Sequence, residues 1–385
     1  MHNFEFYNPT RIVFGAGTIS RLDEVIPSGA RILILYGGSS AERNGTLEEI
    51  RSALAARETR EFGGIEANPT FETLMRAVER VRTERLDFLL AVGGGSVIDG
   101  TKFVAAAAPF AGDPWSILES AGATVGSALP FGTVLTLPAT GSEMNNFAVI
   151  TRKATQAKLL FASPHVFPRF SILDPTKTYS LPARQLANGV VDAFCHTVEQ
   201  YLTYPAQAMV QDRFAEGLLL SLIELGPQVL AQPYDYDLRA NLMWVATSAL
   251  NGLIGAGVPQ DWATHGIAHE LTARFDLDHG RTLAVVLPSM LRIRKESKRA
   301  KLLQYAERVW NCTTGTDDER IDDAIDQTQA FFERLGVKTR LSDYQIGQDA
   351  IGVLVAQLKN HGMTHLGEHR DVTLEVSRRV LEASL

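Results

Sequence analysis

The chain has 385 residues, with 37 basic and 44 acidic side chains and a net charge of −7, which excludes a broad cationic face for nucleic-acid phosphates. Its 45% hydrophobic and 21% charged composition excludes a disordered chain, and the length points to two domains of ordinary size. Two cysteines, Cys195 and Cys312, exclude a disulfide framework and fit a reducing compartment.

Up to about residue 180, short apolar runs alternate with helical stretches. Segments 31–36, 88–92, 133–137 and 170–173 are rich in leucine and β-branched residues and end at Gly, Pro or Asp. Such runs read as buried parallel strands. Segments 46–57 and 70–86 have helical spacing, so the pattern predicts βαβ units and an α/β domain over residues 1–180. From residue 181 the strand signals stop. Segments 184–203, 206–231, 236–253, 261–275, 298–310 and 317–335 read as helices, several bounded by proline, and predict an all-helical domain over 181–385. The charge-rich stretch 292–301 reads as a solvated surface. No window reaches the roughly 18 uninterrupted apolar residues of a membrane span. The first residues lack a basic segment followed by an apolar run. A cytoplasmic protein is the expectation.

Three polar loops follow predicted strands. DFLLAV runs into GGGSVIDGTK (93–102), where glycines allow close backbone approach and a helix starting near Ser96 would aim free N–H groups at a pyrophosphate. This is not the G-x-G-x-x-G fingerprint, and a plain strand-to-helix turn is the bland alternative. The turn Tyr36-Gly37-Gly38-Ser39-Ser40 lacks a carboxylate for a ribose 2′-hydroxyl and has Arg43 nearby, which favours NADP(H) over NAD(H). Glu42 is the competing feature. The third loop, TLPATGSE (136–143), could line a cofactor groove or be merely polar.

Histidines carry the other signal. Asp192 and His196 share a helical face at i, i+4, and so do His265 and His269. His279 follows in the predicted loop Asp278-His279-Gly280. One carboxylate with three imidazoles is a ligand set for Zn²⁺ or Fe²⁺ that leaves room for a substrate oxygen. A structural Asp–His pair is the bland reading. His361, His365 and His369 have metal-like spacing, but Gly362 and Gly367 interrupt the helix, so they read as surface residues. Cys195 points about 100° away from His196 and reads as a buried thiol. No G-x-S-x-G nucleophile elbow is present.

GGGSVIDGTK (93–102), LPATGSEMNN (137–146), ANGVVDAFCHTVEQYL (187–202) and WATHGIAHELTARFDLDHGRTLAVVLP (262–288) together resemble the iron-dependent, or group III, alcohol dehydrogenases. Within that family they resemble the NADPH-dependent aldehyde reductase, butanol dehydrogenase-like branch. The resemblance runs in order over essentially the whole chain. It implies a dehydroquinate synthase-like fold with an α/β nucleotide-binding N-terminal domain, an all-α C-terminal domain, and an active site in the cleft. It further implies a homodimer and one divalent metal, Zn or Fe, on Asp192, His196, His265 and His279, with His269 as an additional histidine beside the nicotinamide. For NADP(H) it implies Gly38 and Ser40 at the 2′-phosphate, Asn68 near the adenosine end, and Gly94, Gly95 and Ser96 at the pyrophosphate. Asp99, Thr136, Thr140, Asn145 and Lys158 correspond to positions along the nicotinamide half. Two departures stand out: Ser39 where glycine is common, and Phe147 where smaller residues are familiar.

The reaction implied is metal-dependent, reversible hydride transfer between NADP(H) and aldehydes or primary alcohols. The metal polarises the carbonyl oxygen, Asp192 offsets part of its charge, and His269 relays a proton. Trp262 is either a pocket wall or a core residue. The alternative is a non-redox or phosphate-handling enzyme of the same fold, of the dehydroquinate synthase or glycerol-phosphate dehydrogenase type. It would need cations for an anionic substrate, and the regions 187–202 and 260–285 offer little beyond Arg274 and Arg281. A catalytically silent metal-binding protein is the other rival.

Overall fold

The computed structural model describes all 385 residues, Met1–Leu385. Six short parallel strands form one sheet: β1 (Arg11–Phe14), β2 (Ile32–Tyr36), β3 (Thr59–Phe62), β4 (Phe88–Gly94), β5 (Phe131–Leu137) and, after the hairpin described below, β8 (Phe170–Leu173). Their order across the sheet is β1-β8-β5-β4-β2-β3. The central strands are apolar without alternation because each face is covered. Ile32, Ile34, Phe88, Leu90 and Val92 join the core on one face. Leu33, Leu35, Leu89 and Ala91 join the core on the other.

Strands β6 (Phe147–Arg152) and β7 (Ala157–Ala162) pair antiparallel as a separate hairpin. The sequence pattern misses this hairpin, β1 and β3. These segments are partly exposed, β3 has no apolar run, and the runs in β1, β6 and β7 are shorter than those of β2 and β4.

Contacts divide the chain into two compact units. Tyr7–Pro182 with Pro233–Thr247 forms the α/β unit, whereas Met1–Phe6, Ala183–Gln232 and Ser248–Leu385 form the helical unit. The excursion over Pro233–Thr247 is invisible to periodicity, which reports that a helix has an apolar face but not which core receives it. Its anchors are polar. Buried Arg239 donates to the carbonyls of Pro233 and Thr178 at 2.9 and 3.1 Å. The Thr247 hydroxyl donates to Glu143 at 2.5 Å.

The helical unit is built on Ala183–Tyr201, Met209–Ala231, Ala263–Phe275, His279–Ile293, Arg299–Arg308, Asp317–Arg334, Asp349–Asn360 and Leu374–Ala383. It is not purely helical, since His365–Leu366 and Val372–Thr373 pair as a two-residue antiparallel ladder. His279 stands in the first turn of a helix rather than in the loop expected for it. The reason is that Leu283–Leu291 is buried on every side and holds Pro288, which hides the helical period. The stretch 292–301 also departs from the solvated surface expected: Lys298 and Lys301 are 2% and 4% exposed, because each ammonium finds acidic partners.

Met209–Ala231 is long and apolar enough to cross a membrane by length and composition. Leu219, Leu222 and Val229 on it are buried, and its Glu216 takes bonds from Tyr201 and Arg308 at 2.9 and 3.0 Å. Phe194 centres the core of this unit, fully buried with ring centroids 5.5 and 5.4 Å from Phe331 and Phe332. Truncating it leaves a large cavity, so Phe194→Ala should cost about 3–5 kcal/mol, read as a lowered urea midpoint of the helical unit.

Candidate functional site

Within the helical unit, three helices bring the acidic and imidazole groups together. Asp192 and His196 lie one turn apart on Ala183–Tyr201, each 4% exposed. His265 sits in the first turn of Ala263–Phe275, and His279 opens His279–Ile293. Oδ1 of Asp192 is 3.5 Å from His196 Nε2 and 3.9 Å from His279 Nε2. The His265 ring is stacked on His196 at 4.7 Å and lies 5.2 Å from the His279 ring. Potential ligand atoms of Asp192, His265 and His279 all fall within 4.8 Å of one another. One carboxylate with imidazoles converging in a buried place is the donor chemistry of Zn²⁺ or Fe²⁺, so the residues fit a cation.

The sequence pattern overlooks what holds these helices so close. A Cβ on Gly280 would lie 2.5 Å from the Asn188 carbonyl oxygen, so only glycine lets the turn after His279 press against the Asp192 helix. The same turn is pinned by Asp278, whose Oδ2 accepts from Asn188 Nδ2 and Arg184 Nε, both at 2.7 Å. His269 lies one turn beyond His265, its ring 5.0 Å from His279 and 6.2 Å from His265. Trp262 is half-buried and flanks the cluster, 5.3 Å from the His265 ring, with its indole N–H on Gln260. Cys195 is fully buried, and burial pushes its thiol up, so it offers no nucleophile.

The other histidine spacing is not one continuous helical face, because the helix stops at Asn360. His365 and His369 are exposed as expected, whereas His361 is partly buried and pairs with Glu270, the neighbour of His269, at 2.7 Å. Of the cations an anionic substrate would need, Arg274 is exposed and Arg281 lies 3.7 Å from Asp278.

Within the α/β unit, β4 runs through a register shift at Gly93/Gly94 into the helix Gly95–Ala107. A Cβ on Gly95 would come 2.5 Å from the Thr140 side chain, which seats the loop after β5 directly on the helix start. Thr140 Oγ1 accepts from the Ser142 amide at 3.2 Å, and Thr136 is half-buried near the end of β5. Asn68, in the left-handed region at φ 56°, joins Ser96 and Lys158. Its amide donates to Ser96 Oγ at 3.3 Å and its Oδ1 accepts from Lys158 Nζ at 3.0 Å. Asp99 accepts from Ser142 Oγ at 2.5 Å and from the Val149 amide at 2.9 Å. Burial pushes its carboxyl up.

Lys102 is the residue that motif reading missed here. Fully buried, it donates to Ser142 Oγ, Asn145 Oδ1 and the Phe147 carbonyl at 2.8, 2.8 and 2.7 Å. It thus holds the loop 142–147 on the glycine-loop helix. Desolvation outweighs Asp99 and Glu143 and pulls its ammonium down to about 8. Asp99 and Lys102 share a helical face at i, i+3, which was the available signal. Phe147 itself is half-buried at the start of β6.

In the turn after β2, Glu42 faces Arg51. Its two oxygens are taken by Arg51 at 3.0 and 3.1 Å, while Arg43 bonds Ser39 Oγ. Around Gly38 no atom lies within 4 Å of where a Cβ would stand, leaving open space beside Ser40. Lys102→Met removes one partner from a buried ionic and hydrogen-bonded set. It should lower stability by about 3–5 kcal/mol, measured as a shifted urea midpoint of the α/β unit.

The family model of the iron-containing alcohol dehydrogenases matches residues 9–175. That of the Fe-containing alcohol dehydrogenase family, C-terminal, matches residues 186–384. The NADPH-dependent aldehyde reductase YqhD of Escherichia coli K12 is 60% identical, with all of both chains covered. A crystal structure of that protein superposes with a TM-score of 0.99 over 100% of this chain and 99% of that one. The probable NADH-dependent butanol dehydrogenase 1 of Bacillus subtilis is 39% identical over the full length of both. The structure of NADH-dependent butanol dehydrogenase A from Thermotoga maritima is 34% identical, with a TM-score of 0.95 and coverage of 100% and 99%.

Proposed function

The chain belongs to the iron-containing alcohol dehydrogenase family, and on that premise we propose that it is an NADPH-dependent aldehyde reductase, interconverting aldehydes and primary alcohols. The observation that carries the reading is the convergence of Asp192, His196, His265 and His279 from three helices. These four residues would hold one divalent metal, Fe or Zn. When bound, NADPH supplies the hydride and the metal supplies Lewis acidity at the carbonyl oxygen.

The chain's own groups do the rest. Asp192 brings the one negative charge in the donor set, leaving net positive charge that suits a neutral aldehyde. His269, adjacent to but outside the Asp192 cluster, moves a proton at the product oxygen. Trp262 excludes water from the histidine rings. Gly94, Gly95 and Ser96 cradle the pyrophosphate at the start of a 13-residue helix, where free amides favour an anion. Asn68 holds the adenosine end, and Asp99, Thr136, Thr140, Asn145 and Lys158 order the nicotinamide half. Gly38 and Ser40 admit the 2′-phosphate, with Arg43 as the nearby cation and Glu42 withdrawn onto Arg51. That last feature favours NADPH although two relatives at 39% and 34% identity carry NADH in their names.

In the cell the enzyme is cytoplasmic, in keeping with its two free, buried cysteines. It acts as a homodimer through the open edge of β1, near exposed Phe14 and Trp244.

Protein reconstituted separately with Zn²⁺ and Fe²⁺ should oxidise NADPH faster than NADH with butanal. A preference for NADH overturns the assignment of Gly38 and Ser40. Asp192→Ala and His265→Ala should each strip the metal and lower kcat by at least about a thousandfold, a loss of roughly 4 kcal/mol of transition-state stabilisation. Retained metal in both refutes the ligand set. His269→Ala should slow turnover by about 10²–10⁴-fold with metal content unchanged. Loss of metal in that variant would make it a ligand instead.

A further inference from the structure

Three residues past His196, the same helical face carries Glu199, which is 2% exposed. Its carboxylate reaches the beginning of the next metal-bearing helix. Oε1 accepts the Thr264 amide at 2.6 Å and Oε2 accepts the His265 amide at 3.2 Å. These are first-turn amides of Ala263–Phe275, so the carboxylate stands where a helix has free N–H groups and a positive dipole end. Oε2 also meets Nδ1 of the His265 ring. An ionised carboxylate can only accept there, in which case Nδ1 carries the proton and Nε2 keeps the lone pair.

The segment leading to His265 is held from the other end as well. Asp261 donates its amide to the Glu199 carbonyl at 2.9 Å and accepts from the Ala263 amide at 3.1 Å. Buried Lys298 then fixes Asp261 at 2.9 Å, together with Glu368 and the Leu202 carbonyl, both at 2.6 Å.

We propose that Glu199 is the positioning residue of the metal centre, setting both the ring orientation and the tautomer of His265 so that Nε2 is the ligand atom. The inference rests on the metal reading above and adds a residue outside the ligand set. A carboxylate on the far nitrogen of a ligating imidazole removes the ring's freedom to flip. It also raises the basicity of the bound nitrogen, effects whose loss typically weakens metal binding by about 10- to 100-fold.

Glutamine keeps the shape of the side chain but has one acceptor oxygen in place of two and no charge, so it can hold an end of the helix yet cannot raise the basicity of the His265 ring as a carboxylate does. Glu199→Gln should therefore keep the wild-type circular dichroism and a cooperative melt. Its Zn²⁺ dissociation constant, from chelator competition, should rise about 10- to 100-fold, and the visible absorption of the Co²⁺-substituted protein should change. Wild-type affinity with an unchanged Co²⁺ spectrum overturns the proposal.

A second measurement needs no variant. In the Zn²⁺-loaded wild-type protein with ¹⁵N-labelled histidine, the His265 ring proton should be found on Nδ1, shifted far downfield. A proton on Nε2 overturns the proposal whatever the variant does. His265→Ala keeps the two failures apart: if it retains metal the ligand assignment itself fails, whereas if it loses metal while Glu199→Gln does not, only the role of Glu199 fails.

Discussion

Taking ionisable groups out of water is the cost on which the helical unit is organised. Asp192, His196 and His265 are all under a tenth exposed in a helical core, where an isolated carboxylate would be destabilising by several kcal/mol. Such a cluster persists only if each group has a partner, and the geometry supplies partners in tiers. The potential ligand atoms of Asp192, His265 and His279 face one another, Glu199 backs His265, and Lys298 backs Asp261 at the helix entry. Gly280 makes the first tier possible, because a side chain there would push His279 away from Asp192. The chemistry of the site and the packing of its three helices are therefore one constraint.

The α/β unit answers the same cost differently. Lys102 has no carboxylate among its hydrogen-bond partners. Its ammonium is satisfied by a hydroxyl, an amide oxygen and a carbonyl. The gain is in order: Ser142, Asn145 and the first residue of β6, Phe147, are tied to the glycine-loop helix through one ammonium. Asp99 does the complementary work, accepting from Ser142 and the Val149 amide. Residues that family resemblance connects with a cofactor thus also build the loops that would receive it, which is why their spacing is so specific.

What the sequence made legible follows from how each signal arises. Buried parallel strands such as β2 and β4 stand out because both faces are apolar, and β8, broken only by Ser171, coincides with the segment 170–173. Asp192 and His196, or His265 and His269, are legible because helical spacing puts i and i+4 side by side. Two kinds of feature escaped. Stretches buried all round, such as Leu283–Leu291, lose their period, and Pro288 within that helix reads as a boundary. Contacts between distant segments have no local signature: nothing near Glu199 names Thr264, and nothing near Lys298 names Asp261. The resemblance to a family points across that gap for the candidate ligands, and leaves the supporting residues unmarked.

Cofactor choice shows how far a local motif can mislead without its partners. Read alone, Glu42 four residues after Gly38 is a carboxylate available for a ribose hydroxyl, the signature of NAD(H). Arg51, a helical turn into Thr46–Ala53, takes both of its oxygens and also engages Glu61 at 2.7 Å. Glu61 sits below the usual carboxylate range because the bond from the Arg51 guanidinium outweighs the upward push of burial. One guanidinium thus occupies two acids, and the cation left beside the turn is Arg43, bonded to Ser39. An acid in the turn is therefore no signature by itself, because the neighbouring helix already engages it.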